Sequence, residues 1–125
     1  MKQHNLSILL VDDNRVNQFV IDDLLRRLEF RVVCASTGED ALKRAAEDSF
    51  DLIILDLQLP GIDGFETAQR LKNLGDKAPI IAVSGLEGET TRRQCLEVGI
   101  RALLGKPFHP EELYRIVNEH LGLDL

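Results

Sequence analysis

The sequence is poor in residues on which several common classes of protein depend. It has no tryptophan, one tyrosine, one methionine and two cysteines among its 125 residues. No pair of histidines or cysteines has the spacing of a zinc site. Because no secretion signal precedes them and both lie in apolar segments, we expect Cys34 and Cys95 to be buried free thiols rather than a disulfide.

Long apolar runs and an excess of positive charge are also missing. No apolar run approaches the roughly 20 residues of a membrane span. The short apolar segment near the N-terminus is followed at once by acids, unlike the pattern of a signal peptide. Asp and Glu total 21 against 15 Lys and Arg, a net charge of −6, which disfavours direct binding to nucleic acid. We therefore expect a cytoplasmic protein without membrane insertion.

What the sequence does contain is an alternation of apolar and amphipathic segments. Its length and its hydrophobic content of 44% suit one domain with a substantial core. Five apolar segments predict strands at 6–11, 31–35, 52–55, 80–83 and 102–104. Each is followed by a stretch with helical periodicity. Such an alternation with short connections predicts an α/β fold, in which helices cover both faces of a parallel sheet.

The predicted helices have recognisable starts. The first should bury a stripe of apolar residues four apart, with two neighbours: Val16, Val20, Leu24, Leu28, Phe19 and Leu25. Ser36 and Glu39 have capping-box spacing and predict the start of the second helix. Asp63 is the expected N-cap of the third. A fourth helix is expected over about 87–98, and Pro110 begins the last.

Polar residues follow the strands at their carboxyl ends. Asp12 and Asp13 follow the first strand, and Asp56 follows the third. Ser84 follows the fourth, and Lys106 comes just after the fifth. The second strand ends only in helix-capping residues, so the simplest layout places it at an edge and gives the order 2-1-3-4-5. Ligands of such sheets bind at the carboxyl ends of the strands, where the order reverses.

The three carboxylates expected there need a counter-charge. Two unit charges about 5 Å apart repel by roughly 3 kcal/mol at an effective dielectric near 20. Either a proton or a cation must relieve this repulsion, and a hard divalent ion such as Mg²⁺ or Mn²⁺ fits oxygen ligands best. A carboxylate beside such an ion can attack phosphorus, which makes Asp56 our candidate nucleophile. Lys106 would supply a fixed positive charge and Ser84 a hydroxyl donor.

Each of these residues, taken singly, has an ordinary structural explanation. Asp12 and Asp13 could cap the first helix, and Asp56 could end a strand. Ser84 precedes a turn glycine, and a lone lysine such as Lys106 is usually a surface residue. Their joint occurrence at the ends of four strands is what favours a phosphoryl-accepting site.

The motifs around these residues resemble the receiver domain of two-component response regulators over nearly the whole chain. Four motifs are similar to the acidic pair, phosphoacceptor loop, switch and Lys-Pro motifs of that family: LLVDDN (9–14), LDLQLPGIDG (55–64), AVSG (82–85) and GKPF (105–108). The VDDNRVNQ opening is most similar to receivers attached to hybrid sensor kinases. The resemblance implies one flavodoxin-like domain over residues 1–125, with 1–5 as a polar tail and no output domain.

The resemblance also implies roles for the site residues. Asp56 would take a phosphoryl group from a phosphohistidine on a sensor histidine kinase or a phosphotransfer protein. Asp13 and Asp56 would bind Mg²⁺ together with the backbone carbonyl of Gln58. Asp12 would act through a water. Such a protein would need no other cofactor.

Phosphorylation would be read by a downstream protein, again by resemblance. Ser84 and Lys106 would hold the phosphoryl group, with a cis bond before Pro107 aiming the lysine inward. The surface of the fourth helix, fifth strand and fifth helix would then change. Receivers commonly carry an aromatic residue where this chain has Leu103, so the switch would use backbone shifts or another face. Leu86, expected beside the phosphoryl group, is apolar and cannot orient an attacking water.

Three other functions compete with this interpretation. An aspartate-nucleophile phosphatase of the haloacid dehalogenase type needs an acid two residues after the nucleophile, where this chain has Gln58. We therefore expect no enzymatic activity beyond self-phosphorylation and self-dephosphorylation. A flavin-binding module would need a phosphate-cradling loop where Asp12 and Asp13 stand. A phosphorylation-independent adaptor is the remaining alternative, and the complete set of acids, serine and lysine argues against it.

Overall fold

The predicted alternation of strands and helices is present in the computed structural model, which describes residues 5–85 and 88–123. The strands are β1 (Ser7–Val11), β2 (Arg31–Ala35), β3 (Leu52–Asp56), β4 (Ile80–Ser84) and β5 (Ala102–Gly105). The helices are α1 (Arg15–Arg27), α2 (Gly38–Glu47), α3 (Gly64–Asn73), α4 (Glu89–Glu97) and α5 (Pro110–Leu121). The predictions for residues 1–4, Leu86 and Glu87 fall outside the described residues.

The five strands form one parallel sheet in the order β2-β1-β3-β4-β5, which confirms the predicted topology. Every residue of the three central strands, β1, β3 and β4, is buried. Continuous burial is expected for strands that are covered on both faces. The strand order reverses between β1 and β3, so the loops after these two strands leave in opposite directions. A crevice opens between them at the carboxyl edge of the sheet.

Successive side chains of the strands point to opposite faces of the sheet and pack into two apolar cores, one on each face. The core on one face includes side chains from α2, α3 and α4: Ala41, Ala68, Leu71 and Cys95. The core on the other face includes side chains from α1 and α5: Ile21, Leu25, Leu113 and Val117. These two layers hold the loops of the carboxyl edge between them.

Both cysteines are free, with Cys95 buried and Cys34 half-buried. Burial raises the pKa of both thiols above its ordinary value, so the neutral form is favoured. Within the described ranges, no helix is both long enough and apolar enough to cross a bilayer.

The helix caps differ from the prediction in one place. Asn14 caps α1 and Asp63 caps α3, each by accepting a hydrogen bond from a backbone amide one turn on. The start predicted at Ser36 is wrong by one residue. Thr37 is the N-cap of α2, and its hydroxyl accepts from the amide of Asp40 at 3.0 Å. The hydroxyl of Thr37 is one residue closer to Asp40 in the chain than that of Ser36, and it lies within hydrogen-bonding distance of that amide.

The buried stripe predicted for α1 is also wrong in part. Ile21 and Leu25 are the buried residues of this helix. Val16, Phe19 and Val20 are instead 71%, 72% and 47% exposed. Ile21, in the same turns, is 2% exposed, so these three side chains lie on the side of α1 that is turned away from the sheet. We call Val16, Phe19 and Val20 the α1 patch.

Candidate functional site

Three carboxylates meet in the crevice at the carboxyl edge. One oxygen from each of Asp12, Asp13 and Asp56 lies within 4.8 Å of the other two. The register explains the meeting, because Val11 of β1 is paired with Leu55 of β3 and an aspartate follows each. Asp12 and Asp56 are buried, whereas Asp13 is exposed. Two of the three carboxylates are therefore buried, and the third is open to solvent.

The loop after β3 is folded tightly onto Asp56. Oδ1 of Asp56 accepts a hydrogen bond from the amide of Gln58 at 2.9 Å. The amide of Leu57 donates to the carbonyl of Val83 at 3.1 Å, and that of Gly64 donates to the carbonyl of Leu57 at 3.1 Å. A Cβ at Gly64 would lie 2.6 Å from the backbone oxygen of Asp56. Glycine is thus required where α3 begins, so that this helix can approach the backbone of the candidate nucleophile.

The carboxyl group of Asp12 has a raised pKa. Its Oδ1 accepts from the amide of Asn14 at 2.9 Å. Burial raises the pKa of Asp12 from 3.8 to about 6. The Asn14 amide and the positive charge of Lys106 oppose this rise, and the other two acids add to it. Charging Asp12 without a bound cation therefore costs free energy.

Lys106 faces two of the three acids. Its Nζ lies 3.4 Å from Oδ2 of Asp56 and 3.9 Å from Oδ2 of Asp12. Its amide donates to the carbonyl of Ser84 at 2.8 Å, which ties the lysine's loop to the end of β4. The Lys106–Pro107 bond is cis, as the resemblance implied. One positive charge thus stands against three carboxylates.

Ser84 and Gln58 complete the set of predicted site residues. Ser84 is fully buried at the end of β4, next to the strand that carries Asp56. Gln58 is exposed two residues beyond Asp56. The structure thus brings every predicted site residue to the same edge of the sheet.

One residue of this edge was not singled out from the sequence. The side-chain nitrogen of Gln18 donates to the carbonyls of Asp12 and Ala35, at 2.9 and 3.3 Å. The available signal was a glutamine in the first turns of a helix that directly follows an acidic pair. It was missed because glutamine is also an ordinary helix former.

The donor set fits a hard divalent cation. The cluster offers only carboxylate oxygens, which are the ligands that Mg²⁺ prefers. The raised pKa of Asp12 reflects its burial, and the neighbouring acids add to the rise, so a bound cation would stabilise its charged form. Asp13 and Asp56 could hold such an ion, with Gln58 beside them. The ends of β1 and β3 thus form an acidic pocket that is consistent with binding a divalent cation.

A parallel sheet in this order, with an acidic pocket and a lysine at its carboxyl edge, is the flavodoxin-like α/β architecture expected of a receiver domain. The sequence profile of the response regulator receiver domain matches residues 8–118, and the chain belongs to that family.

Several proteins with similar sequences are histidine kinases. The chain is 36% identical over 110 residues to the hybrid signal transduction histidine kinase E of Dictyostelium discoideum. The match covers 83% of this chain and 6% of that protein. Among these histidine kinases, this chain spans between 6% and 14% of the full length of the kinase it matches. It corresponds to one segment of such kinases.

Solved receiver structures superpose closely on this chain. The receiver domain of sensor histidine kinase PA1611 from Pseudomonas aeruginosa has a TM-score of 0.85 at 35% identity, over 95% of this chain and 99% of that one. That structure has a magnesium ion coordinated in its active site cleft. The chemotaxis protein CheY4 of Vibrio cholerae has a TM-score of 0.91 at 27% identity, over 94% and 100% of the two chains.

Proposed function

We propose that this receiver domain accepts a phosphoryl group on Asp56 from a phosphohistidine, in a reaction that requires Mg²⁺ or Mn²⁺. The acidic pocket is the observation that carries the proposal. Asp56 is buried within 4.8 Å of two further carboxylates and 3.4 Å from the lysine nitrogen. A nucleophile, cation ligands and a neutralising lysine are the parts that phosphoryl transfer needs.

The proposed transfer exchanges one bond for another. A carboxylate oxygen of Asp56 forms a bond to phosphorus while the P–N bond of the phosphohistidine breaks. The electron pair stays with the imidazole nitrogen, which takes up a proton from solvent. Lys106, now beside Oδ2 of Asp56, would pair with a phosphoryl oxygen. The hydroxyl of Ser84 would donate to another.

The cation would be held by Asp13, Asp56 and the backbone carbonyl of Gln58, with Asp12 acting through a water. When bound, it supplies positive charge that offsets the charge of the phosphoryl oxygens. Gln58 cannot act as a general acid or base at neutral pH. We therefore propose self-phosphorylation and self-dephosphorylation, without turnover of an external substrate.

The donor protein would approach over the α1 patch, which lies at the same edge as the pocket. A groove of about 510 Å³ runs beside the patch and is lined by residues of α1 and of the loop after β5, among them Val20, Leu24, Phe108 and Lys106. The groove thus joins the patch to the lysine of the pocket. Clustered exposed apolar side chains mark protein-contact surfaces. A histidine kinase or a phosphotransfer protein is the partner that would need this contact.

The downstream partner would bind the surface of α4, β5 and α5. The buried residues of α4 are Thr91 and Cys95, and neither is a large apolar side chain, so little apolar surface anchors this helix. The hydrogen bond between Lys106 and Ser84 links the pocket to the end of β5. Phosphorylation would bias these elements between two arrangements.

Acetyl phosphate tests the proposal without any partner protein. Intact mass spectrometry should show one added phosphoryl group on the wild type in Mg²⁺ and none in EDTA. Asp56→Asn should gain none. Asp51→Asn, at the opposite edge, is the matched control and should be modified like the wild type.

Two results would count against the proposal. A wild type that gains no mass in Mg²⁺ would favour the alternative, a phosphorylation-independent adaptor with the same fold. Added mass that persists in Asp56→Asn would place the acceptor on another residue.

A further inference from the structure

We infer that Gln18 is a positioning residue for the cation site, because its side-chain amide fixes the peptide that carries Asp12 and Asp13. The inference rests on the proposed function in one respect: it takes the acidic pocket as a Mg²⁺ site.

The contacts of Gln18 tie α1 to the ends of two strands. Its Nε2 lies 2.9 Å from the carbonyl oxygen of Asp12 and 3.3 Å from that of Ala35. The side-chain nitrogen of glutamine carries two hydrogens, so it can donate to both. The amide of Asp12 also donates to the carbonyl of Ala35, at 3.0 Å. Gln18 therefore clamps the last hydrogen bond between the ends of β1 and β2.

The clamp acts on the geometry of the acidic pair. The carbonyl of Asp12 belongs to the planar peptide that joins Asp12 to Asp13. Fixing its oxygen fixes the plane, and with it the direction in which the backbone of Asp13 leaves. Asp13 is exposed, so burial does little to hold it. Mg²⁺ tolerates little departure from octahedral geometry, so its ligands must be held in place.

Glutamine suits this position for reasons of length and chemistry. The amide of Gln18 donates to the carbonyl of Asn14 at 2.9 Å, which fixes the backbone within the first turns of α1. The side chain must then reach from the helix to the sheet edge. Glutamate would have the length but would place an acceptor against two carbonyls. Methionine has similar length without a donor, so Gln18→Met separates hydrogen bonding from packing.

Isothermal titration of metal-free protein with Mg²⁺ tests the inference. Gln18→Met should bind Mg²⁺ about tenfold more weakly, which is the usual scale when a group that orients a metal ligand is lost. Gln69→Met, an exposed glutamine of α3, is the matched control and should bind like the wild type. Gln18→Ala, which keeps a strong helix former, provides a second variant and should show the same loss.

The kinetics of modification by acetyl phosphate separate positioning from general damage. Gln18→Met should need about tenfold more Mg²⁺ for half its maximal rate, and should reach the wild-type rate at saturation. A lower maximal rate with an unchanged Mg²⁺ requirement would overturn the inference. Wild-type Mg²⁺ affinity in either folded variant would also overturn it. A wild type that binds no Mg²⁺ would instead overturn the proposed function.

Discussion

At the amino ends of the strands, as at their carboxyl ends, three aspartates lie next to the sheet. Those at the amino edge are held apart, and each has a partner of its own. The pairs are Asp48 with the guanidinium of Arg31 at 2.6 Å, Asp51 with the amide of Ser7 at 2.8 Å, and Asp76 with the amide of Ala78 at 2.9 Å. Asp48 and Asp51 thus join neighbouring segments, and Asp76 accepts from an amide two residues on.

At the carboxyl edge Asp12 and Asp56 also each accept from a backbone amide, but the aspartates there share their surroundings. Asp12, Asp13 and Asp56 lie within 4.8 Å of one another and face a single lysine. Burial and the neighbouring acids raise the pKa of Asp12, so its charged form is disfavoured. The same residue type therefore holds backbone segments at one edge and forms an acidic cluster at the other. The difference lies in how the backbone distributes the charges, and paired substitutions at the two edges can measure it.

The largest difference is expected for Mg²⁺ binding. Asp13→Asn removes a proposed ligand and should weaken Mg²⁺ binding at least about a hundredfold, beyond the effect of losing a supporting group. Asp76→Asn makes the same change at the amino edge, where the carboxylate only accepts from a backbone amide. It should leave the affinity unchanged. Calorimetric titration of the metal-free proteins measures both.

An equal loss of affinity in the two variants would show that the whole surface charge attracts the ion. The acidic pocket would then have no specific role in binding Mg²⁺. A loss confined to Asp13→Asn, in a variant whose unfolding temperature in EDTA matches the wild type, would assign the effect to the pocket.

A second difference concerns the pH dependence of stability in EDTA. The pKa of Asp12 is raised from 3.8 to about 6. Between these values the folded protein keeps a proton that the unfolded chain has lost, so its free energy of unfolding falls as pH rises. The loss from this group should be about 2 kcal/mol, with about 3 kcal/mol as the ceiling. It should be complete above pH 6 and absent below pH 4.

Asp12→Asn isolates this contribution, because other acids also titrate in the window. Urea unfolding at pH 4 and at pH 7 should show the variant gaining on the wild type as pH rises. Asp51→Asn should not reproduce that gain, since Asp51 is exposed rather than buried. A difference between Asp12→Asn and wild type that is constant with pH would contradict the raised pKa of Asp12.

Most of this architecture follows from short-range features of the sequence. Continuous apolar strands, short connections and an acid after the first and third strands are enough to predict the sheet order and the edge that carries the pocket. Asp63 predicts its helix start because capping depends on one side chain and one backbone amide. The family motifs, rather than periodicity, supplied the cis bond before Pro107.

What the sequence could not show depends on which side of a helix meets the sheet and on contacts between distant segments. Val16 and Val20 have the spacing of a buried stripe, but Ile21 and Leu25 mark the buried face of α1. The role of Gln18 needs two carbonyl groups, from Asp12 and Ala35, that are far apart in the chain. Neither fact is encoded in local spacing.

The smallest difference is expected at the exposed apolar residues of the two edges. Phe19 of the α1 patch is 72% exposed at the carboxyl edge, and Leu74 is 61% exposed at the amino edge. Phe19→Ser should slow transfer from a phosphorylated histidine phosphotransfer protein about tenfold, because an aromatic anchor at a protein interface contributes about 1–3 kcal/mol. Leu74→Ser should transfer at the wild-type rate.

Acetyl phosphate distinguishes a docking defect from a damaged pocket. It needs no protein surface, so the loss in Phe19→Ser should be confined to the protein donor. Equal losses with both donors would mean that Phe19 supports the pocket itself. Equal losses in Phe19→Ser and Leu74→Ser would mean that the donor recognises apolar surface at either edge. A loss that occurs only in Phe19→Ser, and only with the protein donor, would show that the donor protein binds at the carboxyl edge, where the acidic pocket lies.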